Sequence, residues 1–588
     1  MSEDQTAANT DNGKRVLDSL ELTSIIFQSL KDIAIQEEGI STRIDSIPVF
    51  PSSWTAPWAR LALVNRAFFH ASTGVLWEHL SSFDPLFRLL CPPETSDFGD
   101  TLYPEQNLSA ISAKAWDRFS FYSSKTRTLA FTKTALSPHP IPLPWIFQIS
   151  NSKDRPDPLL PALARLFVNS DDDLSLFITF SIAHLVKCVL VDLGERSSSA
   201  AITTHLRQRE SCTTKFLRLA QPSNALVLGN VAQIASLNGL ELTISGLQGA
   251  QLWRLQSLQC LEWFRLTILV NPEPDDEQDF FPFSTASQAP VIRKTSLPTL
   301  VSFVVVAGGL DHLRLSTSMV LGNLNALQME VLPPSEESIL VPLAATAYAK
   351  GNLSLKRFTL MAPRDIHMSP RAVEPARGDA KYSDYGEFLS SLAALHNMTF
   401  FRILHIPFFE FDIQHRLLDV ASRFPQLLTL SLQPRAVTRR PADALETVGL
   451  QALANLSPKC PCLTDIGIYL NFSDIPNIAD GCTPMLKVKG IFFRASLKKL
   501  GLEEWPSGEK LRLAQYLHRM FPQLNELATG WLKDSRDWKH WKEIEQLLSF
   551  SRDIRAQTIQ DLANARTDAC ATASNVRHPF RNLPAAGL

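Results

Sequence analysis

The sequence predicts an α/β chain in which a small helical module precedes an irregular solenoid of βα units. Three observations carry this expectation. Amphipathic helical stretches crowd the front of the chain. From about residue 126 to 532, short strand-like apolar runs alternate with helical stretches. A helix, proline stop, strand pattern recurs, twice with the same tetrapeptide Phe-Pro-Gln-Leu, at 424–427 and 521–524.

Residues 1–14 are small and polar, cannot offset their ordering entropy by burial, and read as a disordered lead. Leu17, Leu22, Ile26, Phe27 and Leu30 then give a helical face that ends near Lys31. Pro48, Pro51 and Pro57 mark 31–57 as a loop inserted into the module. Amphipathic blocks follow at Ala59–Phe69 and Ser72–Leu80. After the turn at Asp84-Pro85 comes a short apolar helix, Leu86–Leu90, and Pro92-Pro93 closes the module, which spans 15–92. Residues 93–125 read as a helical connection. The solenoid occupies 126–569, interrupted by insertions rich in proline and charge at 271–290 and 362–386. Near its end a polar helix, Lys533–Arg566, offers Trp538, Trp541, Ile544, Leu547 and Leu548 for burial. Residues 570–588 form a flexible tail.

Within the solenoid, strands fit an L-x-x-L-x-L frame with other apolar residues allowed. The frames are Leu237/Leu240/Leu242, Leu261/Phe264/Leu266, Leu300/Phe303/Val305, Leu324/Leu327/Met329, Leu355/Phe358/Leu360, Phe401/Leu404/Ile406, Leu427/Leu430/Leu432, Leu463/Ile466/Ile468 and Leu497/Leu500/Leu502. Pro298, Pro425 and Pro461 each stand two residues ahead of a frame, and Pro522 begins an incomplete fourth case. Proline cannot continue the preceding helix and turns the chain toward extended geometry, so the strand starts at a fixed point. Successive frames lie 24 to 46 residues apart, an irregular period. One such unit cannot bury its own apolar face, so neighbours stack into a continuous core and leave recognition to outward residues and loops.

Composition excludes several classes of function. A net charge of −2 over 588 residues and a pI of 6.7 give no global field for nucleic acid or anionic lipid. The eight cysteines are scattered, and only Cys460 and Cys462 are near neighbours, so neither a disulfide framework nor a zinc ligand set appears. Met1–Arg15 lacks the apolar core of a secretory signal, and Leu300–Leu310 is too short to span a bilayer. These features lead to an expectation of a cytoplasmic or nuclear protein, in which Asn352-Leu353-Ser354 is a chance glycosylation triplet. Phosphate loops, dinucleotide turns, metal helices and nucleophile elbows are missing from the sequence. Asp171–Asp173 reads as a solvated helix start, the arginines at 435, 439 and 440 as a solvated basic loop, and the histidines are dispersed. No cofactor or metal is expected.

Residues 16–92 resemble the F-box family in its fungal form. Leu61-Ala62-Leu63-Val64-Asn65-Arg66-Ala67-Phe68 is similar to the family's L-x-x-V-x-[KR]-x-[FW] helix, and Leu76-Trp77-Glu78-His79-Leu80 to its terminal L-W-x-x-L. Leu22, Ile26, Phe27 and Leu30 match the pattern of its first helix, with Asp18-Ser19 where the family has Leu-Pro. The region behind resembles an irregular leucine-rich repeat. The resemblance implies that the helices dock to a Skp-family adaptor, and through it to a cullin-RING ubiquitin ligase of the SCF type, while the solenoid binds an unknown substrate protein. The implied docking residues are Leu22, Ile26, Phe27, Leu30, Leu61, Val64, Phe68, Leu76, Trp77 and Leu80. The chain itself is then not an enzyme. Two other readings stay open: an interaction scaffold with no part in ubiquitination, and an enzyme whose site is assembled across units.

Overall fold

The structure is a computed structural model. It describes residues 19–37, 55–91, 94–95, 101–102, 111–132, 143–169, 173–192, 196–209, 212–247, 251–269, 294–332, 340–362, 392, 394–404, 420–433, 448–456, 458–468, 470–471, 475–476, 487–493, 507–524, 526–529 and 536–576. The chain divides into two compact units, residues 1–307 with 318–323, and residues 308–317 with 324–588.

Unit 1 opens with three helices, α1 (Leu20–Glu37), α2 (Thr55–Leu61) and α3 (Arg66–Glu78). Their boundaries correct the sequence reading. α1 runs on past Lys31 because Thr23, Phe27, Lys31 and Ile35, four residues apart, all lie on its buried face. The lysine that looked like a stop is an interior residue. α2 starts ahead of Pro57, which is tolerated in a first turn where its missing N–H would have no partner anyway. The block Ala59–Phe69 is broken at residues 62–65, and Asn65 caps the new helix by accepting a hydrogen bond from the Phe68 N–H at 2.8 Å. Residues 72–78 are the second half of α3.

The last two residues of the Ser72–Leu80 block leave the helix and form a strand, β1 (His79–Leu80). Then follow α4 (Asp84–Leu90), a two-residue antiparallel pairing of Glu94–Thr95 with Thr101–Leu102, and α5 (Ala113–Ser123), so the connection is only partly helical. From there strands and helices alternate as far as β6: β2 (Thr128–Thr132), α6 (Leu143–Asn151), β3 (Arg165–Asn169), α7 (Asp173–Ile182), β4 (Cys188–Val191), α8 (Arg196–Gln208), β5 (Phe216–Pro222), α9 (Ala225–Val231) and β6 (Gly239–Ile244), after which come β7 (Trp263–Ile268) and β8 (Ser302–Ala307). Each strand pairs parallel with its predecessor, from β1 through β8.

Unit 2 repeats the scheme with α10 (Gly309–Ser318), β9 (Ala326–Val331), α11 (Val341–Lys350), β10 (Arg357–Met361), β11 (Phe400–Leu404), β12 (Thr429–Gln433), α12 (Leu450–Leu456), β13 (Asp465–Ile468), β14 (Gly490–Phe493), α13 (Ser507–Met520) and β15 (Glu526–Thr529). Strands β9 to β15 are again parallel and in chain order. The closing helix, α14 (Arg536–Val576), buries Trp541, Ile544 and Leu548 and leaves Leu547 partly covered. It extends ten residues beyond Arg566 and into the stretch from 570 read as a tail. The insertion 271–290, most of 362–386, the cluster 435–440 and the lead 1–14 lie outside the described residues.

The register of the strands explains the apolar frame. In β9, β10, β11, β12 and β13 the same rung is filled by Leu327, Phe358, Phe401, Leu430 and Ile466, each paired with the next. Phe358 and Phe401 stack with ring centres 5.7 Å apart, close to the spacing between neighbouring strands. The frame predicted at Phe401 starts three residues earlier in the structure: Met398, Phe401 and Ile403 are the fully buried set. Leu497/Leu500/Leu502 lies outside the described residues, and the strand before it, β14, buries Ile491, with Val488 buried just ahead of the strand.

Most strands are entered by a tight turn. The N–H groups of Leu300, Leu427, Leu463 and Leu524 bond the carbonyls of Leu297, Phe424, Cys460 and Phe521, three residues back. Pro298, Pro425, Pro461 and Pro522 therefore occupy the second position of a β-turn, which their fixed φ suits. Leu237, Leu261, Leu355 and Met398 make the same turn without proline. A carbonyl of the preceding unit then accepts two successive N–H groups, as Lys215 does from Asn238 and Gly239, and Lys356 from Thr399 and Phe400. This shared entry keeps the units in register while the connecting helices vary in length.

Because parallel crossovers share one hand, consecutive strands in chain order put their connections on one side of the sheet. Burial alternates accordingly in β7, β9 and β11, whose other side is partly covered, whereas β4 is buried on both sides. On that side of unit 1, Phe216 and Trp263 face each other across β6 at 5.4 Å between ring centres. Gly239, between them in register, makes this possible, since a Cβ there would meet the Phe216 ring at 2.5 Å. Gly239→Val is expected to cost about 1–3 kcal/mol in denaturant unfolding through this overlap. Gly322→Ala, with open space around it, serves as the neutral control.

Candidate functional site

The helical module is built on Phe27. Its ring lies 5.7 Å from that of Trp58 and 5.1 Å, edge-on, from that of Phe68, with Ala71 and Val75 completing the buried cluster and Leu61 and Leu76 packed against it. Polar groups tie the cluster to the sheet. Lys31 Nζ reaches the Glu78 carboxylate at 2.5 Å, joining α1 to the end of α3, and the Lys31 side chain is 4% exposed. The imidazole of the next residue, His79, stands 3.6 Å from the same carboxylate. Burial is the main cause that lowers its pKa to about 4; Lys31, Arg165 and Arg127 act in the same direction and Glu78 opposes them.

That shift has a definite sign. His79 is neutral in the folded chain and accepts a proton far more readily once unfolded, so its contribution is intact above pH 6.5 and is lost as pH falls toward 4. The module is expected to lose up to about 3 kcal/mol over that window, read as a falling midpoint in urea titrations between pH 7 and 4.5. His79→Gln should flatten the dependence.

The other face of α1 is also apolar. Leu22, Ile25, Ile26, Leu30 and Ile33, at helical steps of three and four, are all exposed, Ile25 at 62% and Ile33 at 52%. Leu63 and Val64, in the turn between α2 and α3, are exposed at 87% and 61%. A helix covered on one side only normally turns polar residues to water, whereas α1 offers apolar residues on both sides. Each half-exposed Leu or Ile would gain about 1 kcal/mol from cover, and such surface marks a site of association.

The ten residues named from the sequence thus separate into four groups. Leu22, Ile26, Leu30 and Val64 stand in solvent. Phe27, Leu61, Phe68 and Leu76 belong to the module's own interior. Trp77 packs on Tyr122 of α5, ring centres 4.4 Å apart, so its indole joins the module to α5. Leu80 is buried in β1, opposite Leu129, as the first rung of the sheet. Sequence reasoning passed over Ile25, Ile33 and Leu63, although stepping from Leu22 by three and four reaches both isoleucines.

Other candidates resolve into structure. Asn352 is 3% exposed and its amide donates to the Tyr348 carbonyl at 2.7 Å, so the Asn-Leu-Ser triplet is closed to modification. Cys460 is buried, its thiol 3.3 Å from the Ala421 carbonyl, and burial raises its pKa to about 11. Asp173 opens α7. Among the described residues no group of three His, Cys, Asp or Glu side chains could hold a metal ion, and no helix is long and apolar enough to cross a membrane. No family model matches the chain, and no curated protein matches it.

Proposed function

We propose that this chain is an F-box-type substrate adaptor of a cullin-RING ubiquitin ligase. Helices α1 to α3 dock the small Skp-family adaptor, and the parallel βα solenoid, of irregular leucine-rich-repeat type, holds the protein to be modified. The reading rests on one observation above all: α1 is apolar on both sides, and its outer stripe of Leu22, Ile26, Leu30 and Ile33 has no cover among the described residues. Such a surface gains most from burying leucine and isoleucine anchors in a groove of another polypeptide. The docking set is the exposed one, Leu22, Ile25, Ile26, Leu30, Ile33, Leu63 and Val64. The partner would place the chain in the cytosol or nucleus.

Co-expression of the full chain with a Skp-family adaptor tests the reading. A complex that survives gel filtration and recruits the cullin is expected. Absence of any complex overturns the proposal, and a complex that does not recruit the cullin leaves a docking scaffold and removes the ubiquitination role.

A further inference from the structure

The closing helix α14 carries two apolar stripes, and unit 2 covers only part of one. That stripe begins with Trp541, Ile544 and Leu548, which are buried. Its contact with the body ends at Arg552, which donates from Nη1 to the Leu524 carbonyl at 2.8 Å. At steps of three and four the same side continues through Arg555, Ile559, Leu562 and Arg566. Every residue from Asp553 to Thr567 is exposed, Ile559 at 58% and Leu562 at 66%. Neither Arg555 nor Arg566 has an ion-pair partner among the described residues. A helix that projects into water in this way gains no packing to offset its cost of ordering.

The opposite side of α14 has the complementary chemistry. Glu543, Leu547, Phe550 and Ile554 follow one another at steps of four and three, and Asp561 stands two turns beyond Ile554 on the same side. Phe550 is exposed at 64% and Ile554 at 52%. Helices α13 and α14 pack together, and between them Leu511, Leu547 and Phe550 line a groove. Lys510, itself buried, engages Oε2 of the Glu543 carboxylate at the groove, and the Glu543 side chain remains 54% exposed. One side of the helix therefore combines aliphatic residues with arginines, and the other combines apolar residues with carboxylates.

We propose that α14 links copies of this chain head to tail, the projecting arginine stripe of one copy lying in the α13–α14 groove of the next. The occupant is a second copy because each side of α14 supplies the charge and the apolar residues that suit the other. Set antiparallel, Arg566 of one copy meets Glu543 of the next, Leu562 meets Leu547 and Ile559 meets Phe550, all three in a single register. Burial of Ile559 and Leu562 in the groove removes apolar surface from water on both partners. An anionic lipid surface would attract the same arginines but repel Asp553 and Asp561, which lie along the same helix. Because the stripes lie on opposite sides of one helix, a single contact leaves one of each kind free, so the association is heterologous. The proposal does not draw on the adaptor reading.

Sedimentation of the full chain over a concentration series is the test. The mass should rise above that of the monomer with concentration, and the association should weaken as salt is raised. Ile559→Asp with Leu562→Asp removes the stripe, and Leu511→Asp with Phe550→Asp removes the groove. All of these positions are exposed, so each variant should keep the circular dichroism spectrum of the parent. Each alone should be monomeric, its dissociation constant raised about a hundredfold or more by carboxylates driven into an apolar contact. Mixed in equal amounts, the two should form a heterodimer and go no further, since one keeps the groove and the other the stripe. A parent chain that stays monomeric, variants that associate as the parent does, or a mixture that stays monomeric overturns the proposal. So does binding of a monomeric chain to vesicles of anionic phospholipid that is lost on Arg555→Gln with Arg566→Gln. Loss of association on Ile26→Asp with Val64→Asp also overturns it, since the contact would then lie on α1.

Discussion

Ile26→Asp combined with Val64→Asp is expected to abolish capture of the Skp-family adaptor while leaving the chain folded. Both side chains stand in solvent, at 41% and 61% exposure, so an aspartate at either position costs the free protein little. In a complex the same carboxylates would be driven into an apolar interface without partners. A penalty of about 3 kcal/mol or more follows, at least a hundredfold in affinity. The measurements are adaptor capture from purified components and the circular dichroism melt of the variant. Undiminished capture would remove the outer stripe of α1 from the interface.

Phe27→Ala, one residue away, should act through folding instead. Phe27 is 3% exposed and meets both Trp58 and Phe68, so truncation empties the centre of the three-helix cluster. A loss of about 3–5 kcal/mol is expected, enough to unfold a module of three short helices. Protease cleavage should then appear within residues 19–78, with capture lost because the docking face no longer exists. Trp77→Ala belongs with Phe27→Ala, since its partner is Tyr122 of the same chain. Neighbouring substitutions with opposite signatures separate the surface of α1 from its core.

Much of the fold was legible from residue spacing. The frame positions Leu237, Leu261, Leu300, Leu324, Leu355, Leu427 and Leu463 are all buried where the frame puts them, because alternate positions along an extended chain share one side of the sheet. The frame slipped at Phe401 because Phe400, Phe401, Ile403, Leu404 and Ile406 satisfy an apolar pattern in more than one register. The turn contact three residues before the rung, Leu395 to Met398, decides between them. Lys31 and Pro57 misled for a related reason: residue type alone reports an average environment, while one lysine found Glu78 and one proline found a helical first turn. The proposed docking set was half legible. The periodicity of α1 contained both stripes, but which of Ile26 and Phe27 faces inward depends on where Trp58 and Phe68 lie.

By itself the sequence determined the α/β class, the order of the helical module and the βα units, the proline-marked strand entries and the apolar rungs, since all of these follow from local periodicity and backbone restriction. Only the tertiary structure decided that Leu80 opens the sheet, that Trp77 serves α5, that Phe216 and Trp263 meet over Gly239, and that Arg357 and Arg402 share Phe400. Apart from Arg402 and Phe400 on one strand, those pairings join residues 43 to 49 positions apart, and contacts of that kind are set by the register of the whole sheet, which local spacing cannot specify.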